Sequence, residues 1–505
     1  MNIPDFQLKL NFSKKGNGIC LSYADLKSLI FLHEQSIMTQ QQLYEFYSTM
    51  KKLDYRYFSN RITKLAKYKL INKKDYFLSQ KYGFKLNLVH IGRKGLDILK
   101  MIGWVNEDET PRYVPKHHVD HHIAIKELVI QLAKEGMKKN KFIVSKDSNH
   151  YFFNSPNITS GSKSSFTIYD KSEFGQSDSI ESLKTFFKPL ITSCGMGEHI
   201  FSKDKTLYMV NPLKESLYVN VNNKKIVVPD AAYQLGSLYF HIEIDRGTEK
   251  IKKGGEDHLL NKTSVEGKIE KYIQLAKEHP NIHHCILFVC LDDSIPLRSD
   301  YGMKTKRIAY IKEEIIYTQD FLDTNNLTMY LFRLGRSPFL ISQLLEREQA
   351  AIDFNSFFLS VNNDLKQNTE FFHFDIMISP FSVFANQYKE HLGTFDFHLS
   401  HVYLLSSRLP GKDLKYIILP VMMREGNIRD QDRLQYFTKR AARGELGRYT
   451  FIWAIYPTNE EMESDVLRSD LSYDHLYFTN LESIKGEHKK PKFYRGKERS
   501  VTTFE

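Results

Sequence analysis

Residues 224–250 read KKIVVPDAAYQLGSLYFHIEIDRGTEK. Two short apolar runs flank a turn at Leu235-Gly236-Ser237, which predicts strands over 225–233 and 238–245. Asp230 ends or interrupts the first strand; Glu243 and Asp245 stand on the second. Side chains alternate along a strand, so positions 243 and 245 point to one face. Two carboxylates there, beside a third on the neighbouring strand, repel one another unless something positive lies between them. A hard divalent cation such as Mg2+ or Mn2+ suits such an all-oxygen set. Asp230, Glu243 and Asp245 are therefore the candidate metal ligands. A metal held there would activate water and neutralise charge on a reacting phosphoryl group.

Working outward, EGKIEKYIQLAKEH predicts a helix over 264–278, with Lys268 one turn before Tyr272 and on the same face. Lys268 joins the three carboxylates as a candidate catalytic residue, to orient water or stabilise phosphate charge. An apolar strand, HHCILFVCL, follows over 284–291. Upstream, HHVDHHIAIKELVIQLAKEG opens a helix over 119–136, then a strand over 141–145 and a long insert over about 146–220. Its histidines repeat at a spacing of four (His117 and His121, His118 and His122), which can hold a transition metal. No Cys or carboxylate pattern completes such a site, so they read as packing and hydrogen bonding at the helix start.

The formal charge of +11 has one source. Residues 1–100 hold 18 Lys and Arg against 7 Asp and Glu, and the other 405 residues balance. A basic head on a neutral body is an electrostatic footprint for a polyanion. The head predicts helices over 21–34, 40–46 (Thr39 as N-cap) and 55–68, a two-stranded wing whose second strand is 85–91, and a helix from Gly92. That is the order of a winged helix-turn-helix, whose third helix enters the major groove of double-stranded DNA. Phe58, Ile62 and Leu65 face the core; Arg56, Asn60, Arg61, Lys64 and Lys67 are the candidate DNA-binding residues.

With 41% hydrophobic and 13% aromatic residues in 505, the chain can bury real cores. No apolar stretch is long enough to span a bilayer, and the N-terminus has no secretory leader. Four cysteines without a CxxC pair predict reduced thiols and a cytoplasmic location. The fold class expected is α/β (α+β overall) in three domains: 1–105, 115–295 and 300–505. Residues 300–380 read as mostly helical. From 395 onward the order helix, turn, apolar strand returns, as in a degenerate and inactive second copy of the middle fold. Arg433 and Phe437 then keep the spacing of Lys268 and Tyr272. The Lys/Arg run from Lys489 to Arg499 reads as a solvated tail.

The order of elements in the middle third resembles the PD-(D/E)xK nuclease core. Pro229-Asp230 matches its first motif and Glu243 its acidic position. Asp245 replaces the lysine expected two residues after the acid, and Lys268 stands as a migrated substitute. Over roughly residues 20–292 the set is similar to the replication-relaxation family of plasmids and mobile elements, on His118 or His122, Pro229-Asp230-Ala231, Glu243 to Glu249, and Lys268 with Tyr272. The resemblance implies plasmid replication, or nicking and relaxation at a mobile-element origin. The leading expectation is a DNA-binding protein acting as a Mg2+- or Mn2+-dependent nickase. The alternative is a non-enzymatic replication initiator or transcription regulator on an inactive nuclease-like fold. A tyrosine-type relaxase using Tyr272 ranks third. Expected partners are double-stranded DNA, other replication or conjugation proteins and a second copy of the chain, with no membrane.

Overall fold

The computed structural model describes residues 6–11, 18–77, 85–111, 118–139, 142–145, 150–153, 164–168, 206–219, 226–251, 264–297, 301–318, 320–346, 374–380, 401–407, 415–446, 449–485 and 491–502. Its helices and mixed sheets make an α/β protein. His117 and Lys489 lie outside the described residues.

Two strands not anticipated from the sequence, β1 (Phe6–Asn11) and β2 (Gly18–Ser22), pair antiparallel at the start. Then come α1 (Tyr23–Gln35), β3 (Met38–Thr39), α2 (Gln40–Met50), α3 (Tyr55–Lys67), β4 (Ile71–Phe77), β5 (Lys85–Ile91) and α4 (Arg93–Met101). Ser22 and Asp25 cap α1 reciprocally, and Thr39 and Gln42 do the same for α2. β3, β5 and β4 form an antiparallel sheet. At the start of α4, a Cβ on Gly92 would lie 2.3 Å from the Lys69 carbonyl oxygen, so that close approach requires glycine. α1 is buried on nearly every side, because β2, α2, β5 and α4 all pack around it.

The central body contains α5 (Val119–Lys138), β6 (Phe142–Ser145), β7 (His150–Phe153), β8 (Ser164–Ile168), β9 (Thr206–Val210), β10 (Ala231–Leu235), β11 (Leu238–Asp245), α6 (Val265–Glu278), β12 (His283–Cys290), α7 (Thr305–Tyr317), β13 (Leu327–Arg333) and α8 (Ser337–Glu346). Its sheet runs β13-β12-β11-β10-β9-β6-β7, with β11, β12 and β13 mutually parallel. All eight residues of β11 are buried, since α5 and α8 cover one face of the sheet and α6 and α7 the other. β10 begins only at Ala231, later than the expected 225, because Pro229 has no N–H to give to a ladder.

Two expected boundaries are not gaps in the packing. The central sheet continues past residue 295 into β13, inside the stretch read as mostly helical. The head and one face of this sheet share a continuous apolar core. There Gln42 Nε2 donates to the Ile123 carbonyl at 2.9 Å, and Lys134 pairs with Glu45 at 3.0 Å. The expected insert also contributes structure: β8 pairs in parallel with β1, and β9 joins the central sheet.

The C-terminal third contains β14 (Phe374–Pro380), β15 (His401–Ser407), β16 (Lys415–Met422), α9 (Ile428–Ala442), β17 (Thr450–Tyr456), α10 (Asn459–Ser464), β18 (Leu476–Asn480), α11 (Leu481–Lys485), β19 (Phe493–Arg495) and β20 (Ser500–Thr502). From β14 to β18 each strand neighbours the next: two antiparallel steps, then two parallel steps, each parallel step carrying a helix. β9 to β13 run in the same order and sense. Counted from the helix N-caps Ser264 and Asn427, the positions matching Lys268 and Tyr272 are Gln431 and Gln435, not Arg433 and Phe437. Phe437 is instead fully buried in the C-terminal core. The two bodies meet where the Leu331 N–H donates to the Gly426 carbonyl and a fully buried Lys312 pairs with Asp465 at 2.9 Å.

Candidate functional site

Asp230 sits just before β10, where its N–H donates to the Ile242 carbonyl of β11. Its Oδ2 accepts the Ile244 N–H at 2.8 Å and lies 3.0 Å from His121 Nε2 on α5. Burial works to raise the Asp230 pKa. The His121 hydrogen bond and charge, the Ile244 N–H and Lys268 outweigh it, so the carboxyl lies below its ordinary value.

Glu243, on β11, is 2% exposed. Its Oε1 accepts the Tyr272 hydroxyl at 2.6 Å, and its Oε2 accepts Lys268 Nζ at 3.1 Å. Burial, helped by the negative charge of Asp230, pushes the Glu243 carboxyl up to about 7 against the pull of Lys268. Lys268 also reaches Glu249 Oε1 at 3.0 Å. Burial alone would lower the Lys268 pKa; Glu243, Glu249 and Asp230 together hold it above the ordinary value. Because the helical repeat stacks Lys268 and Tyr272, α6 delivers both to one carboxylate.

Asp245 shares the β11 face of Glu243 but has a different partner. Arg307 of α7 grips it with two bonds, Nε to Oδ2 at 2.6 Å and Nη2 to Oδ1 at 2.8 Å. The Gly247 N–H and the Cys290 thiol also donate to it. One guanidinium grips both its oxygens and it is 1% exposed, so Arg307 already supplies the positive charge that the expected three-carboxylate metal site would have given it. Among the described residues no group of three or more His, Cys, Asp or Glu side chains could hold a metal ion. Asp230, Glu243 and Lys268 form one electrostatic unit, and Asp245 stands apart with Arg307.

His121, Glu249 and Arg307 were not among the residues singled out for the site. The paired-histidine spacing marked His121, and Glu249 lies inside the quoted stretch. Arg307 carries no local signal, since it comes from a helix assigned to another domain.

On α3, Arg56, Asn60, Lys64 and Lys67 are exposed, and Tyr57 beside them is 66% exposed. Phe58, Ile62 and Leu65 are buried opposite. Lys73 and Lys74 of β4 are exposed as well. Arg61 is placed differently: it binds both carboxylate oxygens of the buried Asp25, at 3.0 and 2.7 Å, and the Cys20 carbonyl at 2.6 Å. It thus ties α3 to the start of α1. Among the described residues Cys20, Cys285 and Cys290 are free thiols, and no helix is long and apolar enough to cross a membrane.

A family model described as replication-relaxation matches residues 29–284, a stretch that contains α3, His121, Asp230, Glu243 and Lys268 and stops short of Arg307. No curated protein and no solved structure matches the chain.

Proposed function

Because the chain belongs to the replication-relaxation family of replication and mobile-element proteins, we propose that it holds duplex DNA with a winged-helix head and breaks one strand at a centre built from Asp230, Glu243 and Lys268. One observation carries this reading: Lys268 crosses from α6 to bond Glu243 while Asp245, at the motif's lysine position, is turned away to Arg307. The charge pattern of a nuclease centre is thus rebuilt from a different helix. Asp230 is the more open carboxylate, with its side chain 21% exposed against 3% for Glu243.

The partly exposed Asp230 beside the buried Glu243 would hold a divalent cation such as Mg2+ or Mn2+ once Tyr272 or Lys268 released a Glu243 oxygen; the larger set with Asp245, clamped by Arg307, does not fit. Such an ion, when bound, would supply Lewis-acid charge and a more acidic water. The chain's own residues do the rest. Tyr272 fixes the Glu243 carboxylate, His121 and the Ile244 N–H fix Asp230, and Glu249 steadies Lys268. Lys268 Nζ places a positive charge where a phosphate would develop negative charge. Arg56, Asn60, Lys64 and Lys67 are the proposed DNA contacts; Arg61 is committed to the fold.

A second, non-enzymatic reading has its own support: Tyr272 and Lys268 already occupy both oxygens of Glu243. Incubating the full chain with supercoiled plasmid and Mg2+ or Mn2+ separates the two. Nicking that disappears in Asp230→Ala and in Lys268→Ala supports cleavage. No nicking in any metal, with duplex binding intact, refutes it and leaves a DNA-holding initiator or regulator.

A further inference from the structure

The polar side chains of α3 fall into two sets. Tyr55, Ser59, Arg61 and Thr63 are engaged within the protein: Gln40 Nε2 donates to the Tyr55 and Ser59 hydroxyls, Arg61 grips Asp25, and the Thr63 hydroxyl donates to the Ser59 carbonyl. Arg56, Tyr57, Asn60, Lys64 and Lys67 are exposed, and among the described residues no hydrogen bond, ion pair or ring contact engages their side chains. At about 3.6 residues per turn, Asn60 stands opposite the buried stripe of Phe58, Ile62 and Leu65, in the middle of the exposed arc, with Tyr57 and Lys64 to one side of it.

Charge is uneven along this arc. Tyr57 and Asn60 are uncharged and lie in the first half of the helix; Lys64 and Lys67 occupy its last turn, and the exposed Lys73 and Lys74 follow on β4. A surface that only held phosphates would need cations throughout. Tyr57 adds nothing to such binding, yet its ring stands 66% exposed in water. Where a helix enters the major groove, its N-terminal residues meet base edges, while cations reach the phosphates and fix the register. The Asn60 carboxamide offers a donor and an acceptor side by side, the complement of adenine N7 and N6; an aromatic ring beside it offers an apolar face to a thymine methyl. Three residues of helix rise about 4.5 Å, against about 3.4 Å per base pair, so the two side chains reach adjacent pairs.

We infer that Asn60 and Tyr57 set the sequence preference of the head, Asn60 by a two-point bond to an adenine and Tyr57 by packing on the methyl of a thymine in the neighbouring pair. The inference rests on the duplex-holding reading above and adds what the head distinguishes: a site containing A·T pairs, read in the major groove, with Arg56, Lys64 and Lys67 on phosphates.

The test uses the full chain in EDTA, so that no strand is cut, with a pool of duplexes randomised at their central base pairs. Bound duplexes are recovered and sequenced, and affinities for the selected site and a scrambled one are read by anisotropy at several salt concentrations. Wild type is expected to select adjacent A·T pairs. Asn60→Ala should become indifferent at the adenine and lose about tenfold for the selected site, with scrambled-site affinity and salt slope unchanged. Tyr57→Ala should lose the neighbouring thymine, and Tyr57→Phe should keep it. Both positions are exposed, so all three variants should melt at the wild-type temperature. A preference that persists in Asn60→Ala and Tyr57→Ala, or a loss equal for every sequence, would overturn the inference. Duplex binding without any sequence preference overturns it while leaving the duplex-holding reading intact. No duplex binding at all overturns that reading and the inference with it.

Discussion

Asp245 offers the sharpest test of how the carboxylates divide their work. It is 1% exposed and held by two short bonds from Arg307, with further bonds from the Gly247 N–H and the Cys290 thiol. Removing one member of a buried, hydrogen-bonded ion pair leaves the other charge without compensation, at a cost of about 3–5 kcal/mol. Replacing both members with uncharged groups of similar volume is far milder, often close to neutral. Arg307→Met should therefore lower stability by about 3–5 kcal/mol, and adding Asp245→Asn to it should restore most of the loss. The assay is urea unfolding of all three variants and the wild type, followed by far-UV circular dichroism. Mn2+ titration by calorimetry runs in parallel, since a structural Asp245 predicts that Asp245→Asn still binds metal wherever the wild type does. The reasoning fails if Arg307→Met costs under about 1 kcal/mol, or if Asp245→Asn keeps its stability and loses Mn2+.

Four further outcomes are expected. Glu243, raised from 4.5 to about 7 mainly by burial, binds its proton more readily when folded; its contribution to stability is full below 4.5 and falls as pH rises toward 7, so wild type should lose stability relative to Glu243→Gln between about pH 5 and about pH 8 in urea melts. Lys64→Ala and Lys67→Ala should each lower duplex affinity for every sequence and reduce the salt slope by about 1 in anisotropy titrations, whereas Arg61→Ala should destabilise the fold by about 3 kcal/mol by stranding Asp25. Gly426 has φ +76°, and a Cβ there would lie 2.8 Å from the Leu331 carbonyl oxygen, so Gly426→Ala should cost at least about 1 kcal/mol and speed proteolytic separation of the C-terminal body.

The sequence by itself determined what is local. Thr39 capping α2, the buried stripe of Phe58, Ile62 and Leu65, the β10–β11 hairpin and the helix carrying Lys268 and Tyr272 each depend on neighbours a few residues away, and each was legible from spacing. The shared face of Glu243 and Asp245 followed from strand alternation alone. What that face meets did not. The partners of the three carboxylates come from far along the chain: His121 for Asp230, Lys268 for Glu243 and Arg307 for Asp245. No periodicity records such separations. The motif order had already set Lys268 with the carboxylates, but only the packing of α5, α6 and α7 around the sheet decided that it bonds Glu243 while His121 takes Asp230 and Arg307 takes Asp245, and only the docking of α3 on α1 decided that Arg61 serves the fold. A buried charge is stable only beside its counter-charge, and in this protein the counter-charges arrive on helices that tertiary structure alone brings to the strands.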